Sequence, residues 1–209
     1  MSKMSSKASL FSHLFKLSLV LLLISVLLTM NHSYSWSWLG SLGFWSIPLA
    51  TVLAAVLFYF PLVFVAHKLL GLQSLYEVVG QLHELTRELT WLQILTLSLL
   101  AGFGEELLFR GFAQSWMASA IGPMFAIVFT SIIFALLHAM SLFYFLLALA
   151  FSIVFGLLLH ITQSMSLVVT LHAVYDVIAL GVIAKYPEML GVNSLKANVD
   201  NSVDDNFNA

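Results

Sequence analysis

Gly104-Glu105-Glu106-Leu107-Leu108-Phe109-Arg110-Gly111 sets three ionisable residues into a run that is otherwise almost wholly apolar. The 209-residue chain around it is 61% hydrophobic and 9% charged, with a mean hydropathy of +1.01. Such a composition belongs to a membrane protein. Runs of about 20 apolar residues, rising about 1.5 Å each, cross a hydrocarbon core about 30 Å thick. A charge at the bilayer centre costs roughly 2.5–3.5 kcal/mol on insertion scales, so two glutamates and an arginine left unpaired cost on the order of 8–10 kcal/mol. Pairing offsets part of that cost, and an ionisable residue at such depth marks function by default.

Outward from this stretch, apolar runs recur at 14–30, 47–66, 92–112, 123–140, 143–160 and 166–184. The expected fold is all-α, a polytopic integral membrane bundle of about six transmembrane helices forming one domain over residues 1–192. The first run follows Lys3, Lys7 and Lys16, and Asn31-His32-Ser33-Tyr34-Ser35-Trp36 after it lacks a small-x-small cleavage pattern, so it reads as an uncleaved signal anchor. Pro48 opens the second span, where a proline suits the first helical turn, and Pro61 inside that span is expected to kink it. Gly122-Pro123 separates the third and fourth spans. In the polar stretch 67–90, His83, Glu84, Arg87 and Glu88 alternate at helical spacing with Leu82, Leu85 and Leu89, which suggests either a short amphipathic helix on the membrane surface or a solvated connector. The tail 193–209, rich in Asn, Asp and Ser, reads as disordered.

Charge fixes the orientation. Lys3, Lys7, Lys16, Lys68, Arg87, Lys185 and Lys196 fall on one side of a six-span arrangement, which places both termini in the cytoplasm, with a bacterial inner membrane as the expected location. A net charge of −2 gives no sign of nucleic-acid binding. The absence of cysteine excludes disulfides, thiolate metal sites and a cysteine nucleophile. The expected partners are the lipid bilayer and a membrane-associated protein or peptide, while the sequence gives no oligomeric state.

Three side-chain pairs within the apolar runs share a helical face through i,i+4 spacing: Glu106 with Arg110, Phe134 with His138, and His172 with Asp176. Glu106 and Arg110 can pair along their helix, while Glu105, turned about 100° away, can point into a cavity. Gly102, Gly104 and Gly111 flank the motif and allow close helix approach. His13, His32, His67, His83 and His160 sit at span ends or in loops, where a polar side chain needs no special explanation. A carboxylate and a histidine in a partly dry cavity can take a proton from water, and a second histidine can hold an oxyanion. Peptide hydrolysis needs those two tasks. The same residues also suit a bound zinc ion. Glu106 with Arg110 alone can be a packing pair, His138 alone a hydrogen-bonded packing residue, and Asp176 alone a proton carrier.

The order Glu105-Glu106-x-x-x-Arg110, Phe134-x-x-x-His138, His172-x-x-x-Asp176 on successive membrane helices resembles the CPBP family. That family comprises type II CAAX prenyl proteases and bacteriocin-processing or bacteriocin-immunity proteins (also called the Abi family). The resemblance covers about residues 90–185 and implies an intramembrane endopeptidase. On it, Glu105 is the general base that activates water with help from His138, and His172 and Asp176 hold the oxyanion. Glu106, Arg110 and Phe134 support the site. The resemblance leaves open a glutamic mechanism without a cofactor and a metallo mechanism, in which Glu105, His138 and His172 are the ligands of a divalent metal such as zinc. The prenyl protease branch has Asn where this chain has Asp176. An ionised carboxylate cannot donate to an oxyanion as an amide does, so a prenylated substrate does not follow from the motif. Two other readings stand beside the protease: a non-enzymatic immunity or partner-binding protein of the same fold, and a small proton-coupled transporter using Glu105 and Asp176. The latter would often show an internal repeat, which this chain lacks.

The assumed span boundaries contain a conflict. Counted along the helices, Glu105 lies roughly 21 Å and His172 roughly 20 Å from the inner face, but His138, counted down from Pro123, lies only about 8 Å from it.

Overall fold

The computed structural model describes residues 2–30, 36–66 and 73–190. The long helices are α1 (Ser2–Thr29), α2 (Ser46–Ala66), α7 (Leu142–Thr162) and α8 (Met165–Lys185), together with a continuous run through α4 (Trp91–Glu106), a π-helical stretch (Leu107–Gln114) and α5 (Ser115–Ile121). Two shorter helices are α3 (Gln73–Thr86) and α6 (Pro123–Leu137). Four of the starts have a local cause. Thr90 and Gln93 form a reciprocal capping box at α4, and Ser141 and Ser164 accept backbone N–H bonds at the starts of α7 and α8. Gly122, at φ 84°, turns the chain between α5 and α6, and Pro123 follows at the first helical position.

The burial pattern is that of a protein dissolved in lipid. Leu17, Leu23 and Leu27 of α1 and Phe125, Phe129 and Ile133 of α6 face outward, whereas Ser25, Glu106, Arg110, Gln114, Thr130, Ser131, Ser152 and His172 are buried. Five helical runs are long and apolar enough to cross a membrane: Leu10–Thr29, Gly40–Tyr59, Trp91–Ile121, Leu142–Thr162 and Met165–Lys185. The chain is an all-α integral membrane bundle.

Two span boundaries need correction. The third span does not stop at 112 but continues to Ile121, since the π-helical stretch keeps the chain helical past Gly111. The fourth, expected over 123–140, is the shorter helix Pro123–Leu137. Its end is local: His138 adopts φ −105°, ψ 9°, and its ring Nδ1–H donates to the Phe134 carbonyl at 2.8 Å. The apolar residues Ala139 and Met140 then hide the break from a hydropathy reading.

These corrections remove the conflict in depth. The run Trp91–Ile121 climbs about 45 Å, and α6 descends about 22 Å from its top, which returns His138 to about 23 Å above Trp91, level with Glu105 at about 21 Å.

Helix α8 is the axis of the bundle, packed by α2, α3 and α4, while α1 lies on α4 and the π-helical stretch, and α5 and α7 flank α6. Ala50 and Ala54 of α2 meet Leu167, Val168 and Leu171 of α8 in the main apolar core. A strap at Trp36–Trp38 closes one end. Ser37 N–H donates to the Gln163 carbonyl, the Ser37 carbonyl accepts from Met165 N–H, both at 2.9 Å, and Trp36 Nε1–H donates to the Gly111 carbonyl at 3.2 Å.

At the other end, the stretch 67–90 holds α3, with 67–72 outside the described residues. Val78 and Val79 are buried, His83 Nδ1–H donates to the Ile183 carbonyl at 2.7 Å, and Glu84 pairs with Arg87 at 3.3 Å. So α3 is an amphipathic helix docked on the bundle rather than a free connector. His32, His67 and the tail 193–209 lie outside the described residues.

Candidate active site

The three motifs converge from α4, α6 and α8. Glu105 Oε2 stands 3.8 Å from His138 Nε2 and 3.9 Å from His172 Nε2. Asp176 Oδ2 stands 3.5 Å from the same His172 nitrogen, one helical turn along α8. Glu105, His138 and Asp176 keep side-chain exposures of 18%, 32% and 25%, with the Glu105 oxygen that faces the histidines itself buried. Glu106 and Arg110, at 0% and 2%, are shut away behind them.

Glu106 does more than hold Arg110. Its Oε1 pairs with Arg110 Nη1 at 3.1 Å and also accepts from His172 Nδ1–H at 2.7 Å. The His172 ring is oriented by this bond to Glu106. That leaves His172 Nε2 facing Glu105 and Asp176. His138 is fixed by its bond to the Phe134 carbonyl and by stacking on the Phe134 ring, with centroids 4.3 Å apart and planes at 22°. Its Nδ1 is committed to that carbonyl, so its Nε2 is the nitrogen that faces Glu105.

Phe134 ties the parts together. It also meets the Arg110 guanidinium, 4.8 Å from its centroid, and the rings of Phe109 and His172, with centroids at 5.1 and 6.3 Å. Phe155 of α7 closes the far side of Arg110 at 5.6 Å and of His172 at 5.6 Å. Arg110 Nη2–H donates to the Ser152 hydroxyl at 2.9 Å and to the Ser152 carbonyl at 3.2 Å. Ser152 and Phe155 were not signalled by the sequence, since one serine and one phenylalanine in an apolar helix are unremarkable there.

Close helix approach makes this convergence possible. A Cβ on Gly102 would lie 2.9 Å from the Ala173 backbone nitrogen, next to His172, and one on Gly104 would lie 3.3 Å from the Leu22 backbone of α1. Gly111 likewise sits 3.3 Å, by its absent Cβ, from Met165 and Thr29. All three glycines act as their spacing suggested.

A zinc ion does not fit the residues as they stand. Two ligands about 2.0–2.1 Å from a tetrahedral zinc lie about 3.3 Å apart. Glu105 is 3.8 and 3.9 Å from the two histidine nitrogens, and among the described residues no group of three His, Asp or Glu is set to hold a metal. What the arrangement can do directly is move a proton between a carboxylate and two imidazoles.

Residues 87–178, which carry all three motifs, match a family described as type II CAAX prenyl endopeptidase Rce1-like. No curated protein and no solved structure matches the chain. The matched segment and the meeting of its motif residues on three helices make residues 87–178 similar to the CAAX-protease (CPBP) family of intramembrane proteases.

Proposed function

We propose that this chain hydrolyses a peptide bond in a membrane-associated protein, with Glu105 as the general base. The observation that carries the proposal is the position of the Glu105 carboxylate, within 4 Å of both His138 and His172, with the facing oxygen buried and held by no hydrogen bond. A water between Glu105 and His138 gives its proton to the Glu105 carboxylate while its oxygen bonds to the scissile carbonyl carbon. The carbonyl oxygen takes the negative charge. His172, doubly protonated, donates from Nε2 to that oxygen and from Nδ1 to Glu106, whose carboxylate neutralises the ring. Protonated Glu105 then returns the proton to the leaving nitrogen as the C–N bond breaks, giving a carboxylic acid and an amine. Asp176, at 3.5 Å from His172 Nε2, borders the oxyanion position. We place the protein in a bacterial inner membrane with both termini cytoplasmic.

The test is a terminal-peptide comparison of membranes carrying the wild-type protein or Glu105→Ala. Uncut precursor is expected to accumulate in the variant, and identical profiles would overturn the proposal. The mechanism routes no step through a metal, so processing is expected to survive exhaustive chelation of purified protein. Loss in chelator with recovery on adding zinc would replace Glu105 as base by a Glu105–His138–His172 metal set.

A further inference from the structure

A buried polar line runs behind the site, from α7 to His172. Gln114 Nε2–H donates to the Gly156 carbonyl at 3.1 Å. One turn back, Arg110 Nη2–H donates to the Ser152 hydroxyl at 2.9 Å and carbonyl at 3.2 Å. One turn further, Arg110 Nη1 and His172 Nδ1 meet the same oxygen of Glu106, at 3.1 and 2.7 Å. Glu106, Arg110 and Gln114 recur every fourth residue, and so do Ser152 and Gly156 opposite them. Every side chain in the line is buried, Gln114 being the most accessible at 6% apart from His172 at 7%. The close approach needs Gly156, where a Cβ would lie 2.8 Å from Gln114 Oε1.

Resting on the protease reading, we infer that Ser152 is a positioning residue that sets the orientation of His172 through Arg110 and Glu106, and that Gln114 keeps Ser152 in place by tying α7 at Gly156. Neither lies in the three motifs. Phe134 and Phe155, with centroids 4.8 and 5.6 Å from the guanidinium carbon, make no directed bond to it, and a hydrogen bond to a fixed hydroxyl sets its direction. Because Arg110 and His172 share one oxygen of Glu106, a guanidinium that turns takes the acceptor of His172 with it. A misplacement of the order of an ångström costs about a hundredfold in rate.

The test uses full-length protein labelled with 15N-histidine in lipid nanodiscs, the His172 ring signals being assigned by their loss in His172→Gln. Ser152→Ala is expected to move the His172 signals while those of the chain's other histidines stay, and to slow precursor processing in membranes about tenfold to a hundredfold. Ser152→Thr, which restores the hydroxyl, is expected to recover both. Should Ser152→Ala fail to accumulate, Gln114→Met reads the same line with a smaller shift in the same direction. His172 signals that superimpose on the wild type in the folded variant would overturn the inference, even if processing slowed. Glu105→Gln separates the two claims. If it leaves processing intact, the protease reading fails. If it stops processing while Ser152→Ala matches the wild type in both readouts, only the positioning line fails.

Discussion

At the scale of single residues, Glu105 and Glu106 are neighbours with opposite surroundings. The turn of about 100° between them sends Glu105 to the open side, against His138 and His172, and Glu106 inward, against Arg110 and His172 Nδ1. Their substitutions should therefore fail differently. Glu105→Gln is expected to fold as the wild type and lose processing. Glu106→Gln leaves Arg110 buried with its counter-charge gone, which is expected to cost about 3–5 kcal/mol of stability, read as a lower unfolding midpoint in detergent. Asp176→Asn supplies an amide N–H beside the oxyanion position and is expected to keep processing, whereas Asp176→Leu is expected to lose it; both are read from precursor accumulation. The motif pairs were legible because i,i+4 spacing alone puts two side chains on one face. The shared use of Glu106 was not, since the bond from His172 joins residues 66 apart in sequence.

At the scale of helices, the site depends on how closely α4 and α8 approach. Gly102 faces the Ala173 backbone, and a methyl there has a backbone nitrogen and Cβ at 2.9 Å with no flexible atom to yield. Gly102→Ala is expected to destabilise by about 1–3 kcal/mol, as overpacking does, and to slow processing because Ala173 adjoins His172. Gly80→Ala, where a Cβ meets nothing within 4 Å, is the contrasting control in both the unfolding and processing measurements. Span existence was readable from apolarity, but two ends were not. Past Arg110, the i→i+5 bonding carries the helix on through Gln114, and π-helical turns of this kind often lie at functional sites. Nothing in Leu107–Gln114 announces that geometry. At His138 the helix stops inside an apolar run because the ring takes the Phe134 carbonyl. The misread depth of His138 came from those two ends together.

At the scale of the whole molecule, the reading to be tested is which end faces the cytoplasm. The end that carries α3 is tied by Lys185 Nζ–H, which donates to the Arg87 carbonyl at 3.0 Å, so two of the cations used for orientation do share an end. The opposite end carries the strap, with Ser41 Oγ–H donating to the Thr162 carbonyl at 2.9 Å and Phe44 and Trp45 exposed beside it. Aromatic side chains at such an end suit the membrane interface, while lysine and arginine stay on the cytoplasmic side. The short α6 does not upset this arrangement. From His138 the chain turns through Ala139 to Ser141, and Phe143 at the start of α7 joins Val182 and Ile183 against the cluster of Val79 and Leu190 at the α3 end. The connection therefore reaches the same end that a full span would. Because the natural chain has no cysteine, single substitutions give a clean reading. In intact cells, Ser41→Cys is expected to react with a membrane-impermeant maleimide, and Glu188→Cys only after the membrane is opened. The reverse pattern would turn the bundle over and put the α3 end on the outer side.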